Sequence, residues 1–296
     1  LMAFGLFALN TSLVRHGTHV KPYAGDVVAA LLLLLLATKV FEPGVTRRRA
    51  VLLALVGGIT CLFSFASIFV LAGIAIAALN RARREPSGRS ALLAAAAVWT
   101  ICAGCGALIG KMSLSPSDAA YMQWFWKPGF MPFPPRSLQD VLWVGNQLRA
   151  MFGWTAYYRI SVLWIAIAAL GIWSFWKRKD TDAAVLLLSP LVLNVGASAL
   201  RIYPFYQGRL QIFLMPMVLM LVAEGADWCR RTFPRRLVWV GVAPMIVLVA
   251  LGIHGTWRAW RLPRTTDLRS VFQYVKGHWR PDDRLFVYYS AGQVFL

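Results

Sequence analysis

Apolar runs about as long as a membrane is thick alternate along this chain with short polar stretches. A hydrocarbon core of ~30 Å is crossed by about 20 helical residues. The runs at 24–41, 90–110, 158–176, 183–200, 210–229 and 237–256 meet that length, and 1–14 reads as part of another. The run 50–80 is different. As one helix it would reach ~46 Å, too long for a single modestly tilted span. A split at Phe63-Ser64-Phe65-Ala66-Ser67 gives two short helices, 50–63 and 66–80, forming a tight hairpin. The pattern therefore predicts an all-α polytopic membrane protein with eight or nine transmembrane helices. A transmembrane region spans 1–257, with a long loop at 111–157.

Two segments depart from this pattern. In 111–157, Tyr121-Met-Gln-Trp-Phe-Trp126 and Pro128-Gly-Phe-Met-Pro132-Phe-Pro-Pro135 form an aromatic, proline-broken loop. The prolines forbid a continuous helix there. Ser137 then reads as the N-cap of an amphipathic helix from Leu138 to Phe152, with Leu138, Val141, Leu142 and Leu148 at helical spacing. Such a helix is expected to lie on the membrane interface. In 258–296, a helix from Leu268 to Lys276, a Pro-Asp-Asp turn and a strand at Arg284-Leu-Phe-Val-Tyr-Tyr289 read as the start of a small α/β domain. The chain opens at Leu1 inside an apolar run and is expected to be a fragment.

Composition agrees with the spans: 58% of residues are hydrophobic and only 15% charged, too apolar for a soluble domain of this length. Charge fixes the orientation. The clusters Arg47–Arg49, Arg81–Arg89, Lys177–Lys179 and Arg230–Arg236 sit between spans, and short basic loops stay cytoplasmic. With the hairpin split, 15–23, 111–157, 201–209 and everything after 257 fall on the opposite face. The tail is itself basic (Arg258, Arg261, Arg264, Arg269), but a single span at 50–80 would expose three clusters instead. Much of the net charge of +19 is thus inside-facing anchor charge that meets anionic lipid, and nucleic acid is not an expected partner. Cys61, Cys102, Cys105 and Cys229 all lie in or beside apolar runs and read as small buried residues.

Candidate chemistry gathers on the extracytoplasmic face. His16-Gly-Thr-His19-Val-Lys21-Pro-Tyr23-Ala-Gly-Asp26 brings imidazoles, an ammonium, a phenol and a carboxylate to the start of a span. Asp26 there also suits a helix N-terminus, Tyr23 an aromatic belt and Lys21 an interfacial anchor. Arg201-Ile-Tyr203-Pro-Phe-Tyr206-Gln-Gly208-Arg209 is a short loop with two arginines flanking two tyrosines. A guanidinium suits a phosphate through its fork geometry and permanent charge, although interfacial anchoring suits it as well. The aromatic loop suits a sugar or lipid chain, or an aromatic belt. Glu224 and Asp227, beside Arg230 and Arg231, read as interface ion pairs without function. His16 and His19 have metal-compatible spacing without further ligands, so no metal site is assigned and a divalent cation stays open.

At these segments the chain resembles the GT-C superfamily of integral-membrane glycosyltransferases. It is most similar to the bacterial branch related to protein O-mannosyltransferases and lipid A aminoarabinose transferases. The likeness rests on Val14 to Ala24 with Lys21-Pro22-Tyr23 and Asp26, followed by Leu31 to Leu36. It rests also on Phe63-Ser-Phe-Ala-Ser67-Ile-Phe-Val, and on Tyr203 to Arg209 leading into Phe213-Leu-Met-Pro216. His19 stands where the family has Glu. The resemblance implies inverting transfer of a sugar from a polyprenyl-phosphate donor to an acceptor such as a cell-envelope glycan, lipid or protein, at a bacterial inner membrane. It implies donor-phosphate contacts from Arg201, Arg209, Lys21 and Tyr23, supported by Asp26, His19, Tyr203 and Tyr206. It places the catalytic aspartate upstream of residue 1, so this segment alone is expected to be inactive. A transporter or lipid flippase is the alternative, and a non-enzymatic scaffold a third reading.

Overall fold

The computed structural model describes residues 7–8, 10, 13, 23–41, 47–84, 89–156, 161–206, 209–234, 239–261 and 268–284. Among these there are helices, turns and loops and no strand. The helices are α1 (Tyr23–Val40), α2 (Arg47–Phe63), α3 (Ser67–Arg84), α4 (Arg89–Ser113) and α5 (Pro116–Phe125). They continue with α6 (Leu138–Ala156), α7 (Ser161–Lys177), α8 (Thr181–Ala199), α9 (Met215–Thr232), α10 (Trp239–Arg261) and α11 (Leu268–His278). By length and composition, Tyr23–Val40, Arg89–Ile109, Thr181–Ala199 and Leu210–Thr232 are able to cross a membrane. Among the described residues the fold is accordingly all-helical, with four helices long and apolar enough to span a membrane. The described residues divide into two units, 1–256 and 257–296.

The run 50–80 is two helices. The Ser64 N–H closes α2 on the Thr60 carbonyl (2.8 Å), and the Ser64 hydroxyl accepts from Ser67 N (3.2 Å) as α3 begins. Ser67 donates its own hydroxyl back to the Ser64 carbonyl (2.6 Å). Short hydroxyl side chains compete with the helix ladder and take the cap position, which is why an apolar run breaks here without Gly or Pro.

Close approaches join the helices. α7 packs along α9, α8 along α3, and α2 along α4. In lipid no hydrophobic force draws helices together, so small residues that admit backbone contact decide where they meet. A Cβ built on Gly225 would overlap the Ile167 carbonyl oxygen and stand 2.9 Å from Gly171 N. One on Gly171 would overlap the Leu221 carbonyl oxygen. Gly73 lies beneath the proline inside α8, where its Cβ would stand 2.9 Å from Pro190 Cδ. The α2–α4 contact is held by Trp99, whose indole N–H donates to the Ala54 carbonyl (3.2 Å).

The described residues of the four basic clusters reach one end of this unit. Arg49 donates to the Lys39 carbonyl (3.0 Å), Arg81 to the Phe41 carbonyl, and Arg84 pairs with Asp182 (2.8 Å). Glu224 takes Arg178 (3.0 Å), Arg231 (2.8 Å) and the Ser174 hydroxyl (2.6 Å), while Asp227 pairs with Arg230 (2.8 Å). α2 and α3 both start or finish at this end and join at Ser64 at the other.

Two expectations need correction. Tyr121 to Phe125 lie not in a loop but in α5. Ser115 caps it by accepting from Asp118 N (3.1 Å), and Pro116 occupies the first turn. Cys102 and Cys105 are not buried: Cys105 is exposed and Cys102 partly so, because α4 packs on α2 and α3 with one face only. In α6 the capping box is present, Ser137 Oγ accepting from Asp140 N (3.2 Å) and Asp140 Oδ2 from Ser137 N (2.9 Å). Its Leu138, Val141 and Leu142 face outward, however, while Trp143, Leu148 and Met151 pack on the core. In the second unit α11 covers the expected helix. The expected strand 284–289 lies, apart from Arg284, outside the described residues.

Candidate functional site

At the end opposite the basic clusters, four segments converge. The first turn of α1 brings Tyr23 and Asp26, both half-buried. Asp26 meets the Ser64 hydroxyl at the α2–α3 turn by a side-chain hydrogen bond. Tyr203 comes down from the loop after α8, its ring stacked on Phe65 (5.8 Å) and edge-on to Phe69 (5.2 Å). Its hydroxyl donates to the Leu210 carbonyl (3.4 Å). Burial first, then electrostatic interaction with Asp26 and with Tyr23, pushes the Tyr203 phenol well above the usual tyrosine range. It therefore acts as a neutral hydrogen-bonding group.

The loop carrying Tyr203 begins with a backbone device. Arg201 has φ 57°, in the left-handed region, one of two described non-glycine residues there, with Lys179. Ile202 N reaches back to the Ala197 carbonyl (2.9 Å) and Arg201 N to the Ser198 carbonyl (3.1 Å), closing α8 with a left-handed C-cap. Glycine is usual at such a position because an L side chain there costs about 1–2 kcal/mol. Arg201 is exposed, and among the described residues its guanidinium meets no partner.

The α5 segment is fastened to this loop. Phe205 N and Ser198 Oγ both donate to the Gly129 carbonyl (2.7 and 2.9 Å), and Met131 N donates to Ser198 Oγ (2.9 Å). A Cβ on Gly129 would stand 2.8 Å from Tyr206 Cβ and 2.9 Å from Pro204 Cβ. Tyr206 also lies edge-on to Trp126 (6.2 Å). Its ring is thus a structural bolt between the two segments.

Of the residues named from the sequence, Tyr23, Asp26 and Tyr203 come together, and Arg201 stands two residues from Tyr203 in the chain. His19 and Lys21 lie outside the described residues, as does the side chain of Arg209, which opens a 3-10 turn (Arg209–Leu214). Ser64, Ser198 and Gly129 are participants that the sequence reading missed. The Ser64 signal was the hydroxyl pair Ser64/Ser67 at the break of an apolar run. Asn194 was also missed. It is fully buried one turn below Ser198, and neither amide atom has a partner among the described residues. Among the described residues no three of His, Cys, Asp and Glu group as metal ligands.

The arrangement offers a neutral phenol, a carboxylate and an exposed guanidinium at one end of an apolar bundle. It suits an anionic group presented at a membrane surface. No family model, no curated protein and no solved structure matches the chain. Among the described residues, fold and site define a helical protein with four helices able to span a membrane and a polar cluster at the end opposite its basic residues.

Proposed function

We propose that this protein is an inverting membrane glycosyltransferase that moves a sugar from a polyprenyl-phosphate donor to an acceptor on the extracytoplasmic face of a bacterial inner membrane. The observation that carries the reading is Arg201. An exposed guanidinium is kept in a backbone conformation where glycine is favoured, on the same short loop as Tyr203, which meets Asp26 and Tyr23. Strain of this kind gathers at functional sites. The gathering of the described residues of the four basic clusters at the opposite end supports the orientation, by the rule that short basic loops stay cytoplasmic.

In the reaction a carboxylate removes the proton from an acceptor hydroxyl. The hydroxyl oxygen attacks the anomeric carbon, the bond to the phosphate oxygen breaks, and the lipid phosphate leaves with the electron pair. Negative charge grows on that phosphate, and preorganised cations stabilise it most. Arg201 and Arg209 take this role, with Lys21 and Tyr23 as helpers. Asp26 orients Lys21 or a sugar hydroxyl, and His19, Tyr203 and Tyr206 support.

The test is calorimetric titration of the full chain in detergent with short-chain polyprenyl phosphate, against the double variant Arg201→Ala, Arg209→Ala. Binding by wild type that the variant loses supports the reading, and absence of binding by wild type ends it. A transporter or flippase has one feature in its favour: Asn194, a buried amide inside α8 one turn above the helix-interrupting Pro190. Movement of lipid across sealed vesicles without a glycosylated product would select it.

A further inference from the structure

We propose that Gln123 is a positioning residue for Arg201, holding through one hydrogen bond the backbone conformation that aims the guanidinium at its anion. The inference rests on the reading of Arg201 as a phosphate ligand. Gln123 Nε2 donates to the Arg201 carbonyl at 3.2 Å, across 78 residues of sequence. α5, which carries it, has no buried residue, and Trp124 beside it is 71% exposed. Core packing therefore does not explain where α5 lies. What fixes it is the bolt at Gly129, Tyr206 and Ser198, which sets the end of α5 against the loop after α8.

The chemistry of the bond follows from the cap. A residue in the left-handed conformation turns its carbonyl away from the helix it terminates, so the helix ladder cannot satisfy that oxygen. Gln123 supplies the donor. The bond from Ile202 N to the Ala197 carbonyl ties one side of the 201–202 peptide and Gln123 ties the other, and the plane so held sets the Arg201 dihedrals and the direction of its Cα–Cβ bond. With the second tie gone, the Arg201 dihedrals range more widely about the left-handed cap and its side chain is less closely aimed. A glutamine amide suits this task because it donates without adding charge beside the anion.

The experiment titrates short-chain polyprenyl phosphate into the full chain in detergent, for wild type, Gln123→Met and Gln123→Glu, each compared with wild type at the same pH. Gln123→Met keeps the length and loses the donor. It is expected to bind between about two- and tenfold more weakly at every pH, the worth of one neutral hydrogen bond. Gln123→Glu is expected to bind more weakly still at neutral pH. It recovers toward wild type as pH falls through the ordinary glutamate range near about 4.3, where the protonated carboxyl donates again. Thermal midpoints of both variants stay at the wild-type value, since the site is exposed. Wild-type binding with Gln123→Met unchanged overturns the positioning role and leaves the phosphate reading standing. A Gln123→Glu ratio that does not move with pH overturns it as well. No binding by wild type removes the phosphate reading and this inference with it.

Discussion

Replacing Arg201 by glycine should stabilise this protein and disable it in one step. The left-handed conformation of Arg201 (φ 57°) costs an L residue about 1–2 kcal/mol relative to glycine. Glycine returns part of that gain through the greater freedom of the unfolded chain, about 0.5–1 kcal/mol. The net expectation is a gain of roughly 0.5–1 kcal/mol. For a chain of this size that is a rise of about 1–4 °C in thermal midpoint. The side chain has no partner among the described residues, so nothing else is lost from the fold. Binding moves the other way: a charge-assisted hydrogen bond to phosphate is worth about 1.5–3 kcal/mol, so affinity for polyprenyl phosphate drops at least tenfold. Lys179 is an internal control. It has the same φ of 57° at the C-terminus of α7, where Asp180 N bonds the Phe175 carbonyl (3.0 Å), but at the basic end. Lys179→Gly should gain the same stability and leave binding unchanged. The assay is thermal unfolding in detergent paired with the lipid-phosphate titration. A lowered midpoint for Arg201→Gly would refute the strain argument. A raised midpoint with binding intact would show that the strain does not serve phosphate.

Further predictions concern packing, burial and pH. Gly225→Ala pushes a methyl into the Ile167 carbonyl and should cost about 3 kcal/mol or more, because backbone cannot yield as a side chain can; a wild-type thermal midpoint would refute the close crossing. Asn194→Leu replaces a buried amide that has no partner among the described residues with an apolar group of similar size, and should raise stability by about 1–3 kcal/mol, read by the same assay. The Tyr203 phenol is raised above its unfolded value, first by burial and then by Asp26 and Tyr23. Its contribution is therefore complete below about pH 10 and lost as pH rises beyond, so Tyr203→Phe should lose less stability than wild type between about pH 9 and about pH 11.

How much of this was legible in the sequence depends on whether the signal was local. The helix break at Ser64 was visible as hydroxyls inside an over-long apolar run, and the start of α6 as the N-cap Ser137, though the answering Asp140 was not read. α5 was missed although Ser115-Pro116-Ser117-Asp118 is a helix start, because the prolines after Trp126 drew the whole segment into one loop. The bond from Gln123 to Arg201 was beyond reach of any local pattern, since 78 residues separate the partners and neither residue type marks the other. Tyr206 illustrates the same limit. Its place in an arginine-flanked loop suggested a ligand contact, and only the approach of Gly129 shows its ring holding two segments together.

Burial in the bundle shows why hydropathy could not rank the helices. The most hydropathic of the candidate spans, Arg89–Ile109, is 17% buried, while Leu210–Thr232, among the least hydropathic, is 72% buried. In water the order would be reversed, because apolar surface would drive its own burial. In lipid, a leucine-rich face gains nothing by leaving the acyl chains. The central helix is instead the one with a glycine where a neighbour's backbone must approach, Gly225 against Ile167 and Gly171. It also carries Glu224, whose carboxylate gathers Ser174, Arg178 and Arg231. Those two features, a missing side chain and a carboxylate that needs partners, are what a search for the core of such a chain should weigh ahead of the length of its apolar runs. Gly225→Ala tests this directly: by hydropathy alone the change is neutral or favourable, and by the packing argument it is among the most damaging single methyl groups that can be added to the chain.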